Sequence, residues 1–269
     1  MNALIEIEPE GIDAASTNLF FEIGEKSIAW FFENQQTRMI SGFSVFHLSK
    51  KIPEEALGDI FNANEIFKKD FARVLISYSL EQCILLPAKF YDPANNEKAL
   101  NIMYGDLLDG TLLVDDINKK ENYTIYKVPV HLHNILTTQF PKAEFIHQYS
   151  VLLKLIPAED IMKVVFYANK IVVLLRHAGK VRIIQSYKYK TADDIVYHLL
   201  NICNQFAATG TRLQLSGMIE RDSALFNEIH KYFLDIDFDN KPIPGLSMNM
   251  NSEYPAHFFS SLFSIAACG

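Results

Sequence analysis

The chain has 269 residues, of which 49% are hydrophobic and 21% are charged. This composition is typical of a folded protein long enough for one large domain or two ordinary ones, and it excludes extensive disorder. The 25 Lys and Arg residues against 32 Asp and Glu residues leave a net charge of −7, which disfavours a nucleic-acid binder because phosphate neutralisation requires a basic face.

The first predicted elements follow an acidic leader, Met1–Glu10. The leader has no basic residue, so it does not resemble a signal peptide, and no apolar run along the chain reaches membrane-spanning length. We therefore expect a cytoplasmic protein without membrane insertion. Apolar and aromatic runs separated by turn residues then predict three strands, a helix that begins at its proline, and a buried fourth strand. These elements are Leu19–Ile23, Ser27–Glu33, Arg38–Leu48, the helix from Pro53, and Ala72–Ser77.

The same order of elements recurs from Ile161 onward. The predicted elements are strands at Met162–Ala168, Ile171–Arg176 and Lys180–Tyr189, a helix capped by Thr191, a strand at Thr211–Ser216, and a helix capped by Asp222 or Ser223. The two series are offset by about 140 residues throughout, and such regularity indicates an internal duplication.

An additional segment, Asp92–Pro157, separates the two series. Its patterns predict a helix at Asn95–Asp106, strands at Thr111–Ile117 and Asn122–Val128, a helix at Val130–Phe140 and a long strand at Ala143–Ile156. We place the domain boundary at Pro157, which gives a first domain of residues 1–157 and a second of residues 158–269. The second domain is predicted to end in a docked helix over Pro255–Cys268, because that apolar tail is too short to span a membrane.

Two consecutive units of this kind resemble the ribonuclease-H-like fold, which is duplicated in the actin, sugar-kinase and Hsp70 ATPase superfamily. The chain is similar to the actin-like cytoplasmic proteins of pilus and secretion systems, and to a bacterial family of unknown function with an actin-like ATPase fold. The resemblance implies an α/β protein whose two units each contain a mixed central sheet.

In that superfamily the first hairpin of each copy carries an Asp-x-Gly phosphate loop. The glycine lets backbone amides approach a phosphate oxygen, and the aspartate positions Mg²⁺ through water. At this place the first copy has Glu22, Gly24, Lys26 and Ser27, so the glycine is kept and glutamate replaces aspartate. The adjoining Glu25 would repel a phosphate.

The second copy departs further from the superfamily pattern. Its corresponding turn, Tyr167–Lys170, has neither the carboxylate nor the glycine. The superfamily also has a Gly-Gly turn that packs on adenosine, and here Ser216–Met218 retains only Gly217, with Met218 placed to intrude on a nucleotide. Alternatively, Gly24 and Gly217 each serve a tight turn at a strand end and nothing else.

These departures lead us to expect no ATP hydrolysis, because catalysis in this fold requires both loops to hold the metal-bound triphosphate. The candidate cofactor-binding residues, as a vestigial nucleotide cleft, are Glu22, Gly24, Lys26, Ser27 and Gly217. No catalytic or metal-binding residue is assigned, and no cofactor is expected. We predict a non-catalytic interaction or scaffold protein with a protein partner. The alternative is a nucleotide-binding ATPase or a nucleotide-switched assembly protein that uses ATP and Mg²⁺.

Two other patterns are considered as metal sites. Asp235–Asn240 resembles the start of a calcium loop, but Asn240 and Leu246 occupy the sixth and twelfth positions, where glycine and glutamate are required. His131 and His133 lie in a predicted helix, where residues two apart diverge. The sequence therefore predicts no metal site at either place.

Overall fold

Three β-sheets organise the part of the chain that the structure describes, which comprises residues 2–9, 11–105, 109–117, 121–240, 247–248 and 254–268. The structure is a computed structural model. The chain divides into two units. Unit one contains Met1–Lys154, Pro244–Met250 and Ile265–Gly269, and unit two contains Leu155–Ile243 and Asn251–Ser264.

Unit one contains two sheets and four α-helices among its described residues. The strands are β1 (Asn2–Ile7), β2 (Thr17–Gly24), β3 (Ser27–Asn34), β4 (Met39–His47), β5 (Arg73–Ser79), β6 (Cys83–Pro87), β7 (Gly110–Ile117), β8 (Asn122–Pro129) and β9 (Glu144–His147). The helices are α1 (Pro53–Ala63), α2 (Asn96–Tyr104), α3 (Val130–Gln139) and α4 (Gln148–Lys154). Short 3-10 helices lie at Ala14–Ser16, Glu65–Lys68, Ala88–Phe90 and Pro93–Asn95.

Unit two contains one five-stranded sheet. Its strands are β10 (Ile161–Phe166), β11 (Lys170–His177), β12 (Lys180–Lys188), β13 (Leu213–Gly217) and β14 (Ile236–Phe238). Its helices are α5 (Ala192–Phe206), α6 (Ala224–His230) and α7 (Ser260–Phe263), with a 3-10 helix at Ala256–Phe258 before the last one. A further 3-10 helix, Ser264–Cys268, follows α7 and belongs to unit one from Ile265 onward. The remaining strand, β15 (Ser247–Met248), pairs with β4 of unit one.

Five strands of the main sheet in unit one have the same order and directions as the five strands of the sheet in unit two, and β1 is an additional strand of unit one. In unit one the order is β1-β4-β3-β2-β5-β9, in which β2 is antiparallel to β3 and parallel to β5. In unit two the order is β12-β11-β10-β13-β14, in which β10 is antiparallel to β11 and parallel to β13. Each sheet therefore places a hairpin beside parallel strands, and the hairpin turn lies at their carboxyl ends.

The strands at the centre of each sheet are buried on both faces, which explains why their sequences are continuous apolar runs. Every residue of β2 and of β10 is buried. Aromatic side chains fill the core of unit one, where the Trp30 ring lies 5.1 Å from Phe46 and 5.4 Å from Phe67. Ring pairs at these separations stabilise the core in addition to the effect of the apolar area that they bury.

The predicted helix starts in unit two are confirmed. Thr191 accepts a hydrogen bond from the Asp194 amide at 3.2 Å, and the Asp194 carboxylate accepts from the Thr191 amide at 2.9 Å, which together form a capping box. Ser223, one of the two residues considered, caps α6 by accepting from the Phe226 amide at 3.1 Å. These caps satisfy amide groups that a helix leaves unpaired at its first turn.

The prediction of one long strand at Ala143–Ile156 is wrong. The chain forms the short strand β9 and then turns directly into α4, all of whose residues except Lys154 are buried. Because α4 is buried on all sides, it has no polar face, and its sequence does not alternate apolar and polar residues with the period of a helix. The structure also contains β1 in the acidic leader, where no strand was predicted, and its pattern is missing because nearly every residue is exposed.

The apolar tail forms short helical turns rather than one continuous helix. Its apolar side chains are nonetheless buried within the chain, and they include Phe259, Leu262, Phe263, Ile265 and Ala266. Along the described residues, no helix combines the length and the apolarity that crossing a membrane requires.

Candidate functional site

The hairpin formed by β2 and β3 carries four of the predicted site residues. Glu22 is 5% exposed on β2, and Gly24 ends that strand beside Ser79 of β5. A Cβ atom on Gly24 would lie 2.9 Å from Ser27 Oγ, a contact that rotation of the Ser27 side chain can relieve. Lys26 is exposed, and its carbonyl accepts a hydrogen bond from the Leu48 amide at 2.9 Å.

An acidic cleft of about 330 Å³ lies at the carboxyl end of β5, and Glu25 of the same turn lines it. Glu81, which follows β5, and Asp109, which precedes β7, also line this cleft. Lys127 is a cation on the wall, but its Nζ is paired with the Glu97 carboxylate at 2.7 Å. The surroundings of the turn therefore favour cationic groups over phosphates.

The corresponding turn of unit two is closed by its own backbone. The Tyr167 amide donates to the Lys170 carbonyl at 2.9 Å, and the Tyr189 hydroxyl donates to the Tyr167 carbonyl at 2.7 Å. The Lys170 ammonium lies 5.4 Å from the centre of the Tyr167 ring, and the Lys170 residue is 5% exposed. This turn presents neither a carboxylate nor a backbone amide at Tyr167 to a ligand.

Gly217 ends β13, and the backbone itself requires glycine there. Its φ is +80°, and a Cβ atom would lie only 2.2 Å from the Phe166 carbonyl oxygen of the neighbouring strand β10. The Met218 amide donates to that same carbonyl at 3.0 Å. The tight turn predicted as the alternative role of Gly217 is thus sufficient to explain the residue.

A second cleft, of about 410 Å³, lies beyond this turn at the carboxyl ends of β13 and β14 in unit two. Phe238 and His257 line it, with ring centres 4.3 Å apart, and the guanidinium of Arg221 lies 4.8 Å from the Phe238 ring. His257 Nε2 donates to the Ile219 carbonyl at 2.7 Å, and burial lowers the pKa of His257, which favours the neutral ring.

A polar network between β7, β8 and α4 was not predicted from the sequence. The Asp115 carboxylate accepts hydrogen bonds from the His147 amide at 2.7 Å, the Ser150 hydroxyl at 2.6 Å and the Tyr126 hydroxyl at 3.0 Å. Burial raises the pKa of Asp115, and these donors oppose that rise. Because the members are distant in sequence, no local motif marks them.

The network resembles hydrolytic side-chain sets only in its residue types. His147 accepts from the Tyr149 amide through Nδ1 at 3.1 Å, and its Nε2 bonds the Leu80 carbonyl at 2.9 Å. Both ring nitrogens are therefore occupied by structural partners, and neither is aimed at Ser150 as a base would be. Across the described ranges, no three His, Cys, Asp or Glu side chains are grouped as metal ligands.

The fold is similar to those of several solved proteins at low sequence identity. A Bacteroides thetaiotaomicron protein described as having an actin-like ATPase fold and unknown function matches with a TM-score of 0.79 and 14% identity, over 95% of this chain and 97% of that chain. The PilM–PilN type IV pilus biogenesis complex matches with a TM-score of 0.59 and 12% identity, over 93% and 96% of the two chains.

EutJ, an ethanolamine utilization protein from Carboxydothermus hydrogenoformans, matches with a TM-score of 0.53 and 7% identity, over 98% of this chain and 92% of that chain. The actin-like fold expected from the sequence is confirmed, as is the likeness of fold to a pilus-system protein. No protein of curated function matches the sequence. Residues 10–236 match the family described as "Protein of unknown function (DUF3822)", and the chain belongs to that family.

Proposed function

We propose that this chain is a cytoplasmic interaction protein that works through protein contacts and does not turn over ATP. The observation that carries the proposal is the closed turn Tyr167–Lys170 in unit two. In an ATPase of this fold, the second hairpin offers amides and a carboxylate to the metal-bound phosphates. Here the Tyr167 amide is committed to the Lys170 carbonyl, and no acidic residue lies in the turn.

The charges around the first hairpin support the same proposal. A phosphate beside Gly24 would meet the acidic cleft that contains Glu25, Glu81 and Asp109. A like-charge contact at about 4 Å costs roughly 1 kcal/mol in water and about 4 kcal/mol at the effective dielectric of a protein surface. The exposed Lys26 offers one compensating charge against Glu25, Asp109 and the charge of a triphosphate.

Protein contact is the remaining use that the fold suggests. PilM, which has a similar fold, is described as part of a complex with PilN. A protein of this fold that lacks the phosphate loops still has large surfaces on which partners can bind. The partner role comes to this chain by that analogy of fold.

The proposal is tested by thermal unfolding of the full chain with and without Mg-ATP, together with a phosphate-release assay. A site with a Kd of about 50 μM would stabilise the fold by about 2.7 kcal/mol at about 5 mM ATP, which raises Tm by several degrees. We expect no shift and no phosphate release above the blank.

A nucleotide-binding protein is the second candidate, because the cleft beside Arg221 lies at the carboxyl ends of parallel strands, where open α/β sheets bind ligands. If ATP does raise Tm, Arg221→Ala should abolish the shift and the matched variant Arg182→Ala, on the exposed strand β12, should retain it. That pair of results would overturn the proposed function.

A further inference from the structure

In the additional segment of unit one, β7 is the edge strand of a three-stranded sheet. Its three strands have the order β6-β8-β7, so the eight-residue strand β7 lies at the margin. Within the described part of the chain, no other strand pairs with the outer side of β7. An edge strand exposes a row of backbone N–H and C=O groups that can pair with another strand.

One face of β7 is exposed and carries Leu112, Val114 and Asp116. Leu112 and Val114 are 36% and 37% exposed, whereas Asp115 on the opposite face joins the polar network with Ser150. Natural edges are usually blunted by outward charges, and here the outward charge is Asp116 near the end of the strand, whereas the two central positions are apolar. The unit-two edge strand β12 contrasts with it, because Lys180, Arg182 and Lys188 are exposed there.

Helix α2 packs on the same side of this sheet as Leu112. Leu112 is the cross-strand partner of Lys127, and Lys127 is ion-paired with Glu97 of α2, so α2 and Leu112 lie on the same side of the sheet. On α2, Met103 is 59% exposed, whereas Ile102 lies across the helix from the buried Leu100 and faces away from the sheet.

The acidic cleft opens at the beginning of the same strand. Asp109 and Gly110 line the cleft, and Gly110 is also the first residue of β7. A segment paired along the edge of β7 would therefore meet the Asp109 carboxylate at one end. Because Lys127 is already paired with Glu97, the net charge of this end is negative.

We propose that β7 binds an extended segment of a partner protein by strand addition, with apolar side chains on Leu112 and Val114 and a Lys or Arg side chain in the acidic cleft. The inference rests on the proposed function and adds the surface and the chemistry of the partner. Main-chain hydrogen bonds to β7 supply affinity, and the alternation of side chains together with the basic end supplies specificity. The acidic cleft favours a basic occupant, because Glu25 and Asp109 would repel an acidic strand at that end.

The test begins with random displayed peptides of about twelve residues, long enough to cover β7, selected on the full chain. We expect the recovered peptides to alternate apolar residues and to carry a Lys or Arg near one end. A synthetic representative should bind at least about tenfold more weakly to the double variant L112E/V114E and to Asp109→Lys, and about tenfold more weakly itself when alternate backbone nitrogens are methylated.

Leu234→Glu is the matched control, because Leu234 is 82% exposed in unit two and its replacement should leave the Kd unchanged. Hydrogen exchange of Gly110–Ile117 amides should slow when the peptide is bound. Far-UV circular dichroism and urea unfolding of each variant show that a loss of binding does not come from a loss of fold.

Three results would overturn the inference: no peptide is recovered, the recovered peptides bind L112E/V114E within about twofold of the original chain, or methylated peptides bind equally well. A dimer of the chain that L112E/V114E disperses would also overturn it, because a second copy would then occupy β7. The nucleotide measurements are independent of these results. A rise in Tm with ATP, or phosphate release, would overturn the proposed function, whereas a failed peptide test would overturn only the β7 site.

Discussion

The Tyr189 hydroxyl donates a 2.7 Å hydrogen bond to the Tyr167 carbonyl, and this contact fastens the end of β12 to the turn where the second phosphate loop of the fold would lie. The bond is side chain to backbone, so one substitution removes it without changing the turn's sequence. Its partners are half-buried, and a hydrogen bond of this kind contributes about 1 kcal/mol to stability.

Tyr189→Phe should therefore lower the free energy of unfolding by about 1 kcal/mol in urea titrations. Tyr187→Phe is the control, because no hydrogen bond of the Tyr187 hydroxyl occurs among the described residues and its ring packs on His198 at 4.6 Å. That variant should change stability by less than about 0.5 kcal/mol. Equal losses in both variants would mean that the Tyr189 bond contributes nothing specific.

Gly217→Ala should destabilise unit two strongly. An alanine at φ +80° carries the left-handed backbone penalty of roughly 1–2 kcal/mol, and its Cβ would also overlap the Phe166 carbonyl at 2.2 Å. Gly179 is the matched control, with φ +71° and no atom within 4 Å of the added Cβ. Urea unfolding should show a loss near 1–2 kcal/mol for Gly179→Ala and a clearly larger one for Gly217→Ala. Comparable losses would show that the approach of Phe166 is unimportant.

Removing one partner of the Lys163–Asp239 ion pair should lower the free energy of unfolding. The charged atoms are 3.0 Å apart, and the side chains are 11% and 15% exposed. Lys163→Met leaves a largely buried carboxylate without its partner and should cost about 3 kcal/mol, whereas Lys163→Met combined with Asp239→Leu should recover most of it. The exposed pair Lys68–Glu65 is the comparison, and Lys68→Met should cost less than about 1 kcal/mol.

His257 should make the stability of the fold dependent on pH. Burial lowers its pKa in the folded chain below the ordinary value of 6.5, so the unfolded chain takes up the proton first. The stability that comes from a neutral His257 is complete above pH 6.5 and is lost as the pH falls from there to the folded pKa, with a slope of at most about 1.4 kcal/mol per pH unit.

Urea titrations at several pH values between about 7.5 and 5 measure this slope. His257→Gln should reduce it, and the exposed control His131→Gln should leave it unchanged. Identical slopes for the original chain and His257→Gln would contradict the assignment, whatever the variant does to stability at neutral pH.

The order of strands and helices could be predicted because it depends on neighbouring residues. The turns at Gly24 and Asn34–Thr37 interrupt apolar runs, and Thr191 lies three residues before the Asp194 that completes its cap. The absence of an acidic residue and a glycine from Tyr167–Lys170 is likewise a property of the sequence alone. Local signals of this kind fixed the expectation of an actin-like fold without intact phosphate loops.

Contacts between distant residues decided the rest. The run after Ala143 is apolar in either conformation, and only burial on all sides made it the strand β9 followed by the helix α4. β1 exists because β4 offers it an edge. A glycine that holds a nucleotide and a glycine pressed against a neighbouring carbonyl look identical in a sequence, and only the structure shows that a Cβ atom at Gly217 would overlap the Phe166 carbonyl.

The surfaces available to partners are also a tertiary property. Glu25, Glu81 and Asp109 are separated along the chain, and they line one cleft because β2, β5 and β7 bring their ends together. The sequence by itself predicted most of the elements and the departures from the phosphate-loop pattern of the superfamily, since both depend on residue types a few positions apart. Only the tertiary structure decided which carboxylates share a cleft and which strand lies at the margin of its sheet, because those depend on how distant segments pack.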